Sequence, residues 1–378
     1  MDCKYSKYCG NCNLLQIPYE EQLKTKSKMV EGCLRKYNID INVPDANGAF
    51  FPYKYRNKVH LAFKSFKGKT IVGFFEEGSG KIVDIDSCLL HADWLTKLII
   101  ILKNYVKKYK IQPYDPLTKT GTIRYAVARV VDNKIMLTLV TTTKNFAGRE
   151  YLYAKLLENF KSVSFYININ KRTDKLVFDE NGFDFVKGDK YIESSLLGVK
   201  YLIAPNSFLQ INLDICKAMY QKTIDWLDIK KEDNILDLYS GIGITSILFA
   251  KKCNKVVSIE YNKEATKMAS VNQKLNNITN LIIYTGACES VIDRLDIKDI
   301  NKAFLDPARM GAEDKTLRIL NDSNIDRIVY MSCNPETLAR DLKILLEKYE
   351  IVSIETYDMF PHTNHIETLV CLQKKVSR

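Results

Sequence analysis

The sequence contains no apolar run near the roughly 18 residues that a membrane span requires. Its first residues, Met1-Asp2-Cys3-Lys4-Tyr5, hold no apolar core and no cleavage signal, which argues against secretion. Together these absences predict a cytoplasmic protein. No internal repeat or low-complexity stretch is evident, which excludes a repeat architecture. No obvious linker marks a domain boundary, so the one expected near 195–205 rests on a change of rhythm alone. What is there is ample: 378 residues suffice for two or three domains with cores of their own. Hydrophobic content of 46% and charged content of 27% fit a soluble globular chain. The net charge of +11 is compatible with a polyanionic partner, and equally with the lysine-rich usage of an AT-rich genome. In a cytoplasm the ten cysteines are thiols, metal ligands or catalytic groups rather than disulfides.

Residues 15–37 read as a helix, with Leu23, Met29, Val30, Cys33 and Leu34 among Lys and Glu. Short strands follow at 59–63, 71–75 and 82–85, with turns at Gly68, Gly78 and Gly80. A helix over 92–109 and strands at 122–131, 134–142, 162–169 and 175–178 complete a middle portion that reads as an antiparallel sheet with helices. From about 200 the rhythm becomes strand–helix alternation. Strands are predicted at 234–238, 255–260, 280–284, 302–306, 327–331, 351–357 and 366–373, with helices at 213–226, 243–252, 263–276 and 336–347. Such alternation predicts a doubly wound α/β sheet.

Ile235-Leu236-Asp237-Leu238-Tyr239-Ser240-Gly241-Ile242-Gly243 is a buried strand entering a glycine turn and then a helix. Glycines allow close backbone approach to a ligand, and the helix start offers free N–H groups. The next strand ends at Glu260, where a carboxylate can accept from a ribose diol. A dinucleotide or S-adenosylmethionine would both suit. The loop lacks the third glycine of the dinucleotide fingerprint, and Asp237 suits a ligand carrying a cationic amino group.

Three further residues stand at strand ends. Asp306 in Asp306-Pro307-Ala308-Arg309 faces the carboxyl edge of the sheet, where α/β ligands bind. Cys333, in Ser332-Cys333-Asn334-Pro335, is a thiol beside a proline turn and reads as a nucleophile. Cys216, Cys253 and Cys371 read instead as packing residues. Glu367 opens the last strand, flanked by His362 and His365, each a second acid–base group or only a surface residue.

Taken in order and spacing, Asp237-Leu238-Tyr239-Ser240-Gly241, Asp306-Pro307-Ala308-Arg309, Ser332-Cys333-Asn334-Pro335 and His365-Ile366-Glu367-Thr368 resemble the RNA uracil-C5 methyltransferases. Ser207-Phe208-Leu209-Gln210-Ile211-Asn212 looks like that family's Gln-x-Asn segment. The resemblance implies an α/β fold with a Rossmann-like S-adenosylmethionine (SAM) methyltransferase domain at 201–378. It also implies a central α+β RNA-binding domain at 96–200 and an N-terminal cysteine-cluster segment at 1–95. By the same resemblance, Cys333 adds to C6 of uracil, C5 takes the methyl group, and Glu367 removes the C5 proton. Gln210, Tyr239, Glu260 and Asp306 contact the cofactor, and Asp306 also the uracil edge. Two departures stand out: Ile244 where relatives often carry Asn, and Ala308 where many carry Pro.

Cys3, Cys9 and Cys12, with Cys88 as a fourth, supply thiolates for zinc or an iron–sulfur cluster. Their spacing resembles the [4Fe–4S] motif of the family's ribosomal-RNA members, and Cys33 is left over for packing. Residues 51–70 hold six Lys or Arg, five aromatics and no acid. That pattern fits single-stranded RNA, or an amphipathic hairpin with a solvated basic face. With only two residues before Cys3, no N-terminal OB-like (TRAM) module is expected. The resulting expectation is a monomeric enzyme acting on 23S ribosomal RNA. The same reaction on a transfer-RNA loop and a catalytically silent RNA-binding protein are the alternatives.

Overall fold

The computed structural model describes residues 2–172, 174 and 176–376, which form two compact units. The first comprises Met1–Leu15, Phe51–Ser194 and Ile203–Asn206; the second comprises Gln16–Phe50, Ser195–Leu202 and Ser207–Arg378. Residues 16–50, grouped by sequence with the cysteine segment, therefore belong to the unit that carries Cys333.

In the first unit, strands β1 (Lys58–Phe66), β2 (Lys69–Phe75), β3 (Ile82–Asp84), β4 (Ile123–Val131), β5 (Lys134–Thr141), β6 (Ser162–Ile169) and β7 (Phe183–Gly188) form one sheet in the order β3-β2-β1-β4-β5-β6-β7. The period of two sends Val59, Leu61 and Phe63 of β1 into the core and leaves His60 and Lys64 on the other face. The helix Trp94–Tyr109 meets that core with Leu95, Leu98, Ile99, Leu102, Tyr105 and Val106, the spacing of a single helical stripe. Two expectations need correction. The sheet is mixed, because β5 and β6 run parallel and are joined through the helix Arg149–Leu157. The strand expected at 175–178 is absent at Leu176–Phe178, and Lys175 lies outside the described residues. There the Asn170 side-chain amide donates to the carbonyls of Leu176 and Val177, and the Asn168 amide bonds Asp179. Side chains thus satisfy backbone groups that a strand partner would otherwise take. The edge strand is β7 instead.

Strands β8 (Ile192–Leu196) and β9 (Val199–Ile203) lie where the chain passes between units. The second unit is built on β10 (Asn234–Leu238), β11 (Lys255–Glu260), β12 (Leu281–Thr285), β13 (Lys302–Leu305), β14 (Arg327–Ser332), β15 (Tyr349–Tyr357) and β16 (Glu367–Lys374). Their order is β12-β11-β10-β13-β14-β16-β15. The first five are parallel, and β16 runs antiparallel between β14 and β15. The order reverses between β10 and β13, so a crevice opens at their carboxyl ends, where α/β folds bind ligands. The helix Tyr19–Lys36 packs Val30 and Leu34 into the same core as Leu338 and Leu342 of the helix Pro335–Leu345. It also buries Lys26 against Asp358, 2.6 Å apart, with both side chains essentially inaccessible. Among the described residues no helix is long and apolar enough to cross a membrane.

Candidate active site

The glycine loop is held from beneath and from the side. Thr245 and Ser246, at the start of the helix Ile244–Ala250, both donate to Asp237 Oδ2, at 2.8 and 2.5 Å. The other oxygen, Asp237 Oδ1, is buried without a hydrogen-bond partner in the protein. The Gly241 N–H donates to Glu260 Oε2 at 2.9 Å, and the Asn262 N–H donates to Oε1 at 2.7 Å. Glu260 therefore shapes the loop, and each of its oxygens retains a lone pair toward a ligand. Tyr239 takes φ +64°, uncommon for an aromatic residue, and its ring packs against the core while the residue borders the crevice.

One pocket at this crevice is lined by Gln210, Tyr220, Tyr239, Gly241, Ile244 and Asp306, among others. Three of the four cofactor residues expected from sequence thus share it, and Glu260 grips the loop that forms its wall. Ile244 is nearly inaccessible and lines the pocket, so the departure from Asn falls on the site itself. Tyr220 escaped the sequence reading. It lies on the helix Leu213–Leu227, whose pattern carries no signal beyond amphipathicity. Burial, with the neighbouring Glu260 carboxylate, pushes Asp237 up to about 7. Burial and the Asp237 charge do the same to Asp306, also to about 7.

The reactive pair meets through strand register. Ser332 of β14 lies opposite Thr368 of β16 in an antiparallel pairing, so one further step sets Cys333 opposite Glu367. Leu305 of β13 is level with Tyr330 of β14, which brings Asp306 to the same edge. Cys333 is half-buried and Glu367 buried. Burial raises the Cys333 thiol to about 11; the Glu367 and Asp306 carboxylates add to the shift, and Arg309 opposes it. Glu367 is held well above the usual carboxylate range by burial and by Asp306, again opposed by Arg309. Arg309 is thus the cation of the group. Its carbonyl accepts from the Asn334 amide at 2.9 Å and from the Thr337 hydroxyl at 3.2 Å, and its guanidinium lies 3.1 Å from His365 Nδ1. His365 is exposed beside this cation. His362 is buried, with Nδ1 3.1 Å from the Gln22 amide nitrogen, so it braces the helix Tyr19–Lys36 and is no surface residue.

In the first unit, Cys3, Cys9, Cys12 and Cys88 line a single pocket. Asp86, two residues before Cys88, ties this loop to the N-terminus: its N–H donates to the Tyr5 hydroxyl at 2.8 Å, and its carboxylate pairs with Lys4 at 3.2 Å. Burial raises Cys12 to about 12, and the neighbouring Cys88, Cys9 and Cys3 contribute. Burial likewise raises Cys88 to about 11. Among the described residues, no group of three or more His, Cys, Asp or Glu is arranged to hold a metal ion. Residues 51–70 are not a uniform basic face. Phe63 is core, Lys54 pairs with Asp93 at 2.9 Å, and burial lowers Lys58 to about 8. Phe66, Lys64, Lys67 and Lys69 are exposed. Charge nevertheless segregates by unit. The first unit carries 27 Lys and Arg against 16 Asp and Glu, the whole excess of +11, while the second carries 29 of each.

The model of the tRNA (uracil-5-)-methyltransferase family matches residues 18–375. The chain belongs to that family. An uncharacterized RNA methyltransferase of Clostridium tetani is 33% identical over 377 residues, covering 98% of this chain and 82% of that protein. Another from Fusobacterium nucleatum is 33% identical, with 97% and 80% covered. Among solved structures, the Pyrococcus abyssi tRNA (uracil-54, C5)-methyltransferase in complex with S-adenosyl-L-homocysteine superimposes with a TM-score of 0.80 at 29% identity. That match covers 96% of this chain and 85% of the other. The protein is thus an RNA methyltransferase with a Rossmann-like catalytic unit, and Cys333 and Glu367 lie at the carboxyl edge of its sheet.

Proposed function

We propose that this enzyme transfers a methyl group from SAM to C5 of a uridine in 23S ribosomal RNA, with Cys333 as nucleophile and Glu367 as base. The register that sets Cys333 opposite Glu367, beside Asp306 and Arg309, carries this reading. SAM, when bound, supplies an electrophilic methyl group. Its pocket fits the residues present: Asp237 keeps an unpartnered buried oxygen, Asp306 and Gln210 line the wall, and Glu260 has acceptor capacity toward a diol. Arg309 favours the Cys333 thiolate, which bonds to C6 of uracil and leaves C5 nucleophilic. Once C5 is methylated, Glu367 takes its proton, the S–C6 bond breaks and the ring regains its double bond. A carboxylate with a raised pKa is, once ionised, a stronger base than an exposed glutamate. The target base must leave its stack, at a cost of a few kcal/mol that is least in a loop.

Cys3, Cys9, Cys12 and Cys88 are the ligands of a [4Fe–4S] cluster that pins the N-terminus. The four thiols line one pocket, and their spacing resembles the cluster motif of the family's ribosomal-RNA members. They also favour the ribosomal substrate, by resemblance to the cluster-bearing members. The likeness to the Pyrococcus enzyme favours a second reading, a uridine in a transfer-RNA loop.

RNA carrying 5-fluorouridine has no removable C5 proton, so it should trap a denaturation-resistant adduct on Cys333. An active enzyme that forms no adduct would overturn the covalent route. Mapping 5-methyluridine in ribosomal and transfer RNA from a deletion strain separates the two substrates. Protein purified anaerobically without iron and sulfide would dismiss the cluster.

A further inference from the structure

We infer that a groove in the first unit, formed by β1, β2, β4 and the loop before β4, holds an unpaired nucleobase of the RNA substrate other than the target uridine. The inference rests on the RNA-methylating reading above. The groove has a volume of about 360 Å³, within the range of small-ligand pockets of about 300–1,000 Å³. Its floor carries a small side chain, because Ala62 of β1 lies between Tyr125 of β4 and Gly73 of β2. Phe75, about half exposed, and Tyr125 stand on that floor with ring centres 6.4 Å apart. Tyr114 and Leu117, the latter 91% exposed, form the rim. Exposed aromatic and aliphatic surface around a small floor is what a flat π-face stacks on.

Charge selects the occupant. Arg124 lies under this surface with its guanidinium carbon 4.9 Å from the Tyr114 ring centre and 6.0 Å from that of Tyr125. It is fixed there by donating to the carbonyls of Asn170 and Arg172 at 2.9 and 2.7 Å. Lys64 borders the groove on the same face as Ala62, placed for a phosphate. Asp115 is the acid in the lining, and its Oδ1 accepts the Leu117 N–H at 2.9 Å. The unit as a whole carries the entire positive excess of the chain. An apolar peptide would use the rings and leave this charge unanswered; a nucleotide uses both.

The test compares the full-length wild-type enzyme with Phe75→Ala and Tyr114→Ala. Fluorescence anisotropy would follow binding of oligouridylate and of a strand of equal length with abasic riboses. Stacking predicts that each variant weakens oligouridylate binding by about 5- to 150-fold and leaves the abasic strand unchanged. Phe75→Leu, which keeps apolar bulk without a π-face, should also lose affinity, although its fold is least disturbed. With a full-length RNA substrate the variants should raise KM and preserve kcat. Unchanged oligouridylate binding, or equal losses on both strands, overturns the groove even when the wild type methylates RNA normally. A wild type that methylates no RNA removes the reading on which the groove rests.

Discussion

The reactivity of Cys333 offers the sharpest test of the electrostatics at the active site. Burial and two neighbouring carboxylates raise this thiol to about 11, against an ordinary cysteine near 8.5. At pH 7 the thiolate fraction is then about 10⁻⁴, roughly 300-fold below that of an ordinary thiol. Below pH 11 the fraction grows about tenfold per pH unit, so alkylation by iodoacetamide should climb with that slope from pH 7 to 9. Replacing Glu367 by Gln removes the second-largest cause of the shift. A negative neighbour disfavours the thiolate, so wherever Glu367 is ionised Glu367→Gln should lower the thiol pKa and speed alkylation, while turnover stalls after methyl transfer with methylated RNA still attached. Arg309→Gln should act in the opposite sense on alkylation, because that cation favours the thiolate. The measurement is peptide mass spectrometry of the Cys333 segment after timed alkylation without RNA. A rate that levels off below pH 9 would refute the raised pKa. Slower alkylation in Glu367→Gln would refute the opposition of Cys333 and Glu367.

Other outcomes follow from the same geometry. Asp237 and Asp306, each near 7, should bind the cationic cofactor only when ionised, so SAM affinity should rise as pH rises. One such group gives roughly tenfold between pH 6 and 8, measurable by calorimetry, and a flat profile would exclude it. The same raised carboxyls make the unliganded protein lose stability as pH climbs from about 4 to 7, because the folded state holds the extra protons there. Lys26→Met would strand the Asp358 carboxylate in the core and cost about 3–5 kcal/mol in denaturant unfolding. Removing both charges with Lys26→Met and Asp358→Asn should restore much of that loss. If six cationic contacts reach single-stranded RNA, affinity should fall roughly two to three decades from 50 to 200 mM salt.

Local pattern made the elements and the reacting groups legible. The strand-to-glycine-turn at Asp237–Gly243 and the strand ends at Asp306 and Cys333 are contiguous stretches whose chemistry is written in neighbouring residues. So is the opening of the last strand at Glu367. The misreadings arose where distant groups intervene. Leu176–Phe178 has the apolar run of a strand, yet Asn168 and Asn170 take its backbone bonds. His362 read as either an acid–base group or a surface residue beside Glu367; it is buried and bonded to Gln22 from the far end of the chain, which no local pattern signals.

By itself the sequence determined which side chains can attack, take protons and hold a cofactor loop, because those capacities belong to residue types in short windows. The order and register of the sheet were decided only in three dimensions. Placing β16 antiparallel beside β14 brings Cys333 to Glu367, although 34 positions separate them. Folding also assigned the helix Tyr19–Lys36 to the catalytic unit and gathered every excess positive charge into the other. Strand pairing and domain membership depend on contacts between distant segments, which no local spacing encodes.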